Sequence, residues 1–385
     1  MSDALLVLED GTAFRGRSVG APGTTFGEAV FNTGMTGYQE VLTDPSYHRQ
    51  IVTMTAPHIG NYGLNDDDAE SDRIQVAGLV VREAARRPSS WRSQRDLATA
   101  LGDAEVVAID GVDTRALTRH LRERGAMRAG LSTHHLDVDD LLERVRASSG
   151  MVGAELVSQV TTSQPYVLAA RDRHGRPVER ARARIVALDF GMKRSIGRHL
   201  SHLGAQVHVL PAQTTAEEVL ELEPDGLLLS NGPGDPAAVE QGTITTRALL
   251  GQLPVFGICL GSQLLGRALG AETYKLAYGH HGLNQPVLRM SDRVVEITSH
   301  NHGFAVAAET LGEQVGAASF DTLDHGRVEV SHVNLNDDVV EGLAAPALAA
   351  FSVQYHPEAA PGPSDANHLF ERFLSLLGDG HGQVR

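Results

Sequence analysis

Between residues 183 and 270 the chain alternates two kinds of segment. RIVALDF, AQVHVLP, the LLL of DGLLLSNGPGDP, and PVFGI are short apolar runs of strand length. MKRSIGRHLSHLG, TTAEEVLELEP, TTRALLGQL and LGSQLLGRALG are helix-like segments set between and after them. Several of the strands are apolar throughout, so both of their faces must be covered, and strand–helix alternation builds parallel sheets. The expectation for residues 183–385 is therefore an α/β domain: a largely parallel sheet flanked by helices.

The preceding half reads differently. ALLVLE and TAFRGRSV flank Asp10-Gly11, a favoured two-residue hairpin turn. EAVFNT, RQIVTMT and QVAGLVV are further short strands, and GVDTRALTRHLRERG is one helix, capped by Asp113 or Thr114 and stopped by Gly125. A chain of 385 residues exceeds one ordinary core. Residues 1–150 are expected to form a smaller β-rich mixed α/β domain. Residues 151–182, which include the charged, Gly- and Pro-containing RDRHGRPVERARAR, read as a connector.

The one cysteine of the chain, Cys259, sits in Gly257-Ile258-Cys259-Leu260-Gly261, where a strand meets a helix. This G-x-C-x-G is the thiol counterpart of the G-x-S-x-G nucleophile elbow. It projects a sulfur above the carboxyl end of the sheet, where open α/β folds bind ligands. The helix N-terminus also favours a thiolate. A lone cysteine is more often a buried apolar residue, and the elbow is what turns the odds. A base is supplied by FSVQYHPEAAPGP: in extended chain His356 and Glu358 share a side, so the carboxylate can orient the imidazole. Read alone, that H-x-E is a surface-loop histidine beside a solvated carboxylate. SNGPGDP, residues 230–236, is either a sharp turn leaving a strand or a loop whose N–H groups, with that of Leu260, face a developing oxyanion.

NGPGDP, GICLGSQ and YHPE occur in that order, and together they resemble class I, triad-type glutamine amidotransferases. ALLVLEDGTAFRGRSVG, GEAVFNTGMTGYQEVLTDPSYHRQIVTMTAPHIGNYG, DTRALTRHLRERGA, LDFGMKRSI, GHHGLNQPV and NHGFAV resemble the carbamoyl-phosphate synthase small-subunit family. The resemblance implies hydrolysis of L-glutamine through a Cys259 thioester, with His356 and Glu358 completing a triad. It implies glutamine contacts at Ser46, Gly232, Gly234, Leu260, Gln263, Asn301, Gly303 and Phe304. Lys193 matches a family lysine after the first strand of the domain. It further implies a large carbamoyl-phosphate synthase subunit as partner, which carries ATP and a divalent metal and receives the ammonia, in arginine and pyrimidine synthesis. No cofactor is expected on this chain. Two positions depart from the family pattern: Ser262, often histidine, and His300, often glutamine.

Other features narrow the class. The net charge of −15 disfavours nonspecific nucleic-acid or anionic-membrane binding. A single cysteine excludes an internal disulfide framework and suits a reducing compartment, so a cytoplasmic location is expected. MSDALLVLEDGT lacks a secretory pattern, and no run approaches the roughly 18 apolar residues of a membrane span. His280, His281, His300 and His302 lack compact zinc-motif spacing, which favours loop hydrogen bonding over a metal. Three competing readings stand beside the favoured one: a non-catalytic glutamine-sensing subunit, the glutaminase of a different synthetase, and a stand-alone thiol hydrolase.

Overall fold

The computed structural model describes residues 2–378. The chain forms two compact units, one of residues 2–154 with 276–283, the other of residues 155–275 with 284–378.

In the first unit the Asp10-Gly11 turn joins β1 (Asp3–Leu8) to β2 (Ala13–Ser18) as an antiparallel hairpin. With β3 (Thr24–Asn32), β4 (Gln50–Met54), β5 (Gly78–Val80), β6 (Val107–Asp110) and β7 (Met127–Ser132) they close a barrel in the order β1-β2-β6-β5-β4-β3-β7. Strand alternation splits the side chains of β1. Ala4, Leu6 and Leu8 join a cluster with Ile51, Val80 and Leu131, whereas Leu5 and Val7 pack with Leu141 of α4 (Val138–Ala147). Two short helices, α1 (Tyr38–Thr43) and α2 (Leu97–Asp103), precede α3 (Thr114–Arg124). In α3, Asp113 accepts from the Ala116 N–H as N-cap, and Gly125 ends the helix at φ 97°.

The second unit carries a twelve-stranded sheet. Its centre is parallel, in the order β10 (Ala205–Pro211), β9 (Ala183–Asp189), β11 (Gly226–Leu229), β12 (Val255–Ile258), β19 (Ala350–Val353). The edge strand β8 (Tyr166–Leu168) pairs antiparallel to β10. Beyond β19 the sheet continues antiparallel through β18 (Val340–Ala345) and β17 (Gly326–Asn334), then β13 (Glu272–Arg289) and β14 (Val295–Ala307). A small hairpin of β15 (Glu313–Gly316) and β16 (Ser319–Thr322) attaches to β17. The expected largely parallel sheet thus describes the core, and the antiparallel half extends it.

Alternation along the parallel strands explains the layering. Val186, Leu188, Leu227, Leu229 and Val255 pack with Leu249 of α7 (Glu240–Leu249) and Leu260, Leu264 and Leu265 of α8 (Leu260–Ala268). Their neighbours Ile185, Ala187, Leu228, Phe256 and Ile258 pack with Ile196 and Leu200 of α5 (Arg194–His202) and Phe370 and Phe373 of α9 (His368–Leu376). The remaining helix, α6 (Ala216–Leu220), starts with a Thr215–Glu218 capping box. Phe256 and Phe351 on adjacent strands stack at 4.5 Å between centroids, which locks β12 beside β19. Among the described residues, no helix is long and apolar enough to cross a membrane.

Candidate active site

Strand register decides what meets at the carboxyl edge of the parallel sheet. Leu188 of β9 pairs with Leu229 of β11, Leu229 with Gly257 of β12, and Ile258 with Val353 of β19. Four neighbouring strands therefore end level, and each exits into a segment that the sequence singles out. β9 leads to Lys193, β11 to the 230–236 loop, β12 to Cys259, and β19 to His356 and Glu358.

Cys259 caps α8 at φ 54°, ψ −105°, a conformation that costs a non-glycine residue on the order of 1–3 kcal/mol. Its surroundings enforce it. The Cys259 N–H donates to the Val353 carbonyl at 2.9 Å, and its own carbonyl accepts from the Ser262 and Gln263 N–H groups at 3.0 and 3.2 Å. A Cβ on Gly257 would sit 2.5 Å from the Gly261 carbonyl oxygen, and one on Gly261 2.1 Å from that of Leu229. Only glycine fits at either flank, so the tight turn expected of G-x-C-x-G is present. The thiol lies 3.6 Å from the Asn301 carbonyl and is buried.

The chain leaves the strand after Val353, so His356 and Glu358 stand in an irregular segment rather than in a continued strand. They still share a side: His356 Nδ1 and Glu358 Oε1 are 2.6 Å apart. The His356 N–H donates to the Ser299 carbonyl at 2.8 Å, which fixes the segment against β14. Lys193 completes a buried charge network, with Nζ 3.0 Å from Glu358 Oε1 and 2.8 Å from the Ala359 carbonyl.

These groups tune one another. Burial pushes the Glu358 carboxyl up, but the Lys193 ammonium and then the His356 ring outweigh it and hold the group at about 2. Burial pulls the His356 imidazole down, but the Glu358 carboxylate and the Cys259 thiol overturn that and raise it to about 10. His356 Nε2 is buried without an aligned hydrogen bond, and the sulfur is close enough to influence the ring. At neutral pH the arrangement is a buried imidazolium between the Glu358 carboxylate and the Cys259 sulfur.

The other singled-out residues fall into place by element. A Cβ on Gly232 would lie 2.1 Å from the Phe190 carbonyl oxygen, and Gly234 has φ 92°, so the loop needs both glycines. The Leu260 N–H opens α8 and has no acceptor within the helix. Gln263 is buried, and its amide N–H groups donate to the Phe304 carbonyl at 2.8 Å and to Gln354 Oε1 at 3.0 Å. It braces β14, which carries Asn301, Gly303 and Phe304. Lys275 lies 4.9 Å from the centroid of the Phe304 ring. Ser262 Oγ bonds Ser352 Oγ at 2.8 Å across to β19. Ser46 belongs to the first unit, in a one-turn 3₁₀ segment where its N–H donates to Asp44 Oδ1 at 2.9 Å. His281 is also in the first unit, its ring 6.0 Å from that of Tyr47.

Sequence reasoning left three supports without a role. Lys193 stood out as a match to a family lysine, and its ammonium lies 3.0 Å from Glu358 Oε1. Asn231 Oδ1 accepts from the Lys193 N–H at 3.0 Å, and Asp189 Oδ1 accepts from Gly191 and Met192 at 2.8 and 2.7 Å, shaping the exit of β9. The signal available was position: each stands within five residues of the end of an apolar strand.

Comparison with known proteins identifies the family. Residues 6–131 match the family model "Carbamoyl-phosphate synthase small chain, CPSase domain", and residues 186–376 match "Glutamine amidotransferase class-I". The chain is 55% identical over 377 residues to the carbamoyl phosphate synthase small chain of Streptomyces avermitilis, covering 97% of this chain and 96% of that one. It is 54% identical over 381 residues to the Thermosynechococcus vestitus protein of that name, covering 97% and 96%. It is 50% identical over 382 residues to the Mycobacterium tuberculosis one, covering 98% and 99%. With nearly full-length relatives at this identity and both domain models in order, the chain belongs to the carbamoyl-phosphate synthase small chain family.

Proposed function

We propose that this chain, the glutamine-hydrolysing subunit of a carbamoyl-phosphate synthase, works through a thioester on Cys259. The Cys259 sulfur, its proton already held by the His356 ring, attacks the side-chain carboxamide carbon of L-glutamine as a thiolate. His356 Nε2 delivers a proton to the departing nitrogen, the carbon–nitrogen bond breaks, and ammonia leaves. Water, deprotonated by His356, then opens the thioester to glutamate, and the sulfur leaves as the thiolate beside the reprotonated ring. Glu358 orients the ring through Nδ1 and balances its charge, and Lys193 keeps Glu358 ionised. The observation that carries this reading is the buried Lys193–Glu358–His356 network beside the only thiol. Buried charge is costly and is retained here where an acid–base group is needed.

The tetrahedral oxyanion is assigned to the Leu260 N–H and the loop holding Gly232 and Gly234. The remaining glutamine contacts are assigned to Ser46, Gln263, Asn301, Gly303 and Phe304. The functional division follows the sequence: residues 1–150 as the family's amino-terminal domain, 151–182 as connector, 183–385 as the amidotransferase domain. Ammonia passes to a large subunit that makes carbamoyl phosphate from bicarbonate and ATP, with a divalent metal there and no cofactor on this chain. Free ammonia would protonate in water, which favours a tight complex, and the single thiol suits a reducing compartment such as the cytoplasm. Glutamate release is the test: weak from the chain alone, stimulated by the large subunit, and nearly abolished in Cys259→Ser. Undiminished release from that variant would refute the assignment, and a wild-type complex without glutaminase activity would favour the glutamine-sensing reading.

A further inference from the structure

The motif spacing that argued against a metal counts only residues near in sequence. The fold adds Glu341, from β18, to the two histidines of β14. His300, His302 and Glu341 are all buried, at 2%, 5% and 0% exposure. His300 Nδ1 lies 3.1 Å from His302 Nε2, and Glu341 Oε1 lies 3.5 Å from the first and 3.9 Å from the second.

The outer ring nitrogens assign the tautomers. His302 Nδ1 is 2.9 Å from the Phe304 carbonyl, which only accepts, so that nitrogen carries a proton. His300 Nε2 is 2.7 Å from Thr298 Oγ1, whose own proton goes to the Gln285 carbonyl at 2.9 Å. With the hydroxyl proton on that carbonyl, His300 Nε2 is the donor in the pair. Both rings donate outward and turn their lone-pair nitrogens toward one another and toward a carboxylate. Three electron-rich atoms so placed draw a positive charge among them, a proton or a metal ion. Metal-binding histidines show the same habit: the outer N–H is held by a carbonyl or hydroxyl while the inner nitrogen faces the ion. Asn334 Nδ2 likewise donates to Glu341 Oε1 at 3.1 Å.

From this geometry we infer that His300, His302 and Glu341 bind one divalent transition-metal ion of the zinc class. Ligand bonds of 2.0–2.2 Å in a tetrahedron place ligand atoms roughly 3.3–3.6 Å apart, close to the three separations here. Two imidazoles and a carboxylate form a set that suits Zn²⁺ and Co²⁺ over Mg²⁺ or Ca²⁺. The site is structural to the reaction rather than part of it. Strand alternation puts Asn301 and Gly303, two of the proposed glutamine contacts, on the opposite face of β14 from the two histidines. An ion tying β14 to β18 holds that face in position.

The full-length chain is purified without chelator, exchanged into metal-free buffer, and its metal content measured before and after reconstitution with Zn²⁺. About one ion per chain is expected in the wild type and in Cys259→Ser, with a tenth or less in His300→Gln and in Glu341→Gln. Thr298→Val, which removes only the outer partner of His300, is expected to weaken Zn²⁺ binding about 10–100-fold. The Co²⁺-substituted wild type should show tetrahedral visible bands without the strong thiolate charge-transfer band that capture by Cys259 would produce. Wild-type protein that takes up no metal on reconstitution overturns the inference, and a proton then bridges the two rings. A thiolate band, or full metal retention in the folded Glu341→Gln variant, also overturns it. Should a variant fail to fold, wild-type stoichiometry and the Co²⁺ spectrum decide.

Discussion

The two units bury different things. The barrel of the first is sealed by aliphatic side chains such as Leu5, Leu6, Leu8, Ile51, Leu79 and Leu131, and ion pairs such as Arg119–Glu123 lie on its outside. The second unit also has an apolar core, yet it buries Lys193, His356 and Glu358 together at the carboxyl ends of its parallel strands. Apolar burial stabilises at roughly 25 cal/mol per Å² with little demand on geometry, whereas a buried ion pair recovers its desolvation cost only with close, fixed partners. The difference teaches where to look for chemistry: where a chain accepts that cost beside a strained nucleophile. It also predicts that substitutions will act unequally in the two units.

The largest effect belongs to the sulfur. Cys259→Ser is expected to lower glutamine hydrolysis by about 10⁴-fold or more while the thermal melt stays close to wild type. His356→Asn follows, with a loss of about 10²–10⁴-fold. A melt strongly lowered in Cys259→Ser would reassign the thiol to packing and remove the contrast.

Lys193→Met separates the units through stability. It leaves Glu358 buried with its main counter-charge gone, and breaking a buried pair costs about 3–5 kcal/mol, read from the denaturant midpoint. Glu358 is held at about 2, below its ordinary value, so its contribution is present above the usual carboxylate range and lost as pH falls toward 2. In Lys193→Met that acid loss should begin at higher pH. The matching change on the barrel side, Arg119→Ala in an exposed pair, should leave the melt unchanged.

The pH dependence of hydrolysis sharpens the point within the site. His356 is raised to about 10, so its protonated form, and the stability it adds, persist from below the ordinary histidine value until pH rises through about 10. The alkaline limb of kcat/KM should lie there, and Glu358→Gln, which removes the attraction that raises the ring, should move that limb to lower pH. A limb that stays in place would mean that His356 is not the titrating group. The smallest effect is local: Asp113→Ala removes the cap of α3 and should cost about 1 kcal/mol without touching hydrolysis.

What the sequence made legible was whatever is specified locally. The Asp10-Gly11 hairpin, the caps of α3, the strand–helix alternation and the G-x-C-x-G turn each lie within a few residues, where backbone sterics and hydrogen-bond bookkeeping decide the outcome. The closed order of the barrel and the antiparallel extension beyond β19 were not legible, because pairing between distant strands leaves no local mark. Sheet register brought Cys259 and His356 to one edge, and only motif order hinted at it. The contact of Lys193 with Glu358 spans 165 positions, and no periodicity encodes it. Glu341 drew no notice for the same reason: its partners are set by where β18 runs, and its own neighbours in VVEGLAA read as strand.

The account rests on a bond that forms between the Cys259 sulfur and the side-chain acyl carbon of glutamine. Rapid acid quenching of the working complex, followed by mass spectrometry of this chain, tests it directly. The account predicts a glutamyl adduct on the peptide containing Cys259, present during turnover and absent from Cys259→Ser. Turnover with no adduct at any time, or an adduct on another residue, would contradict it.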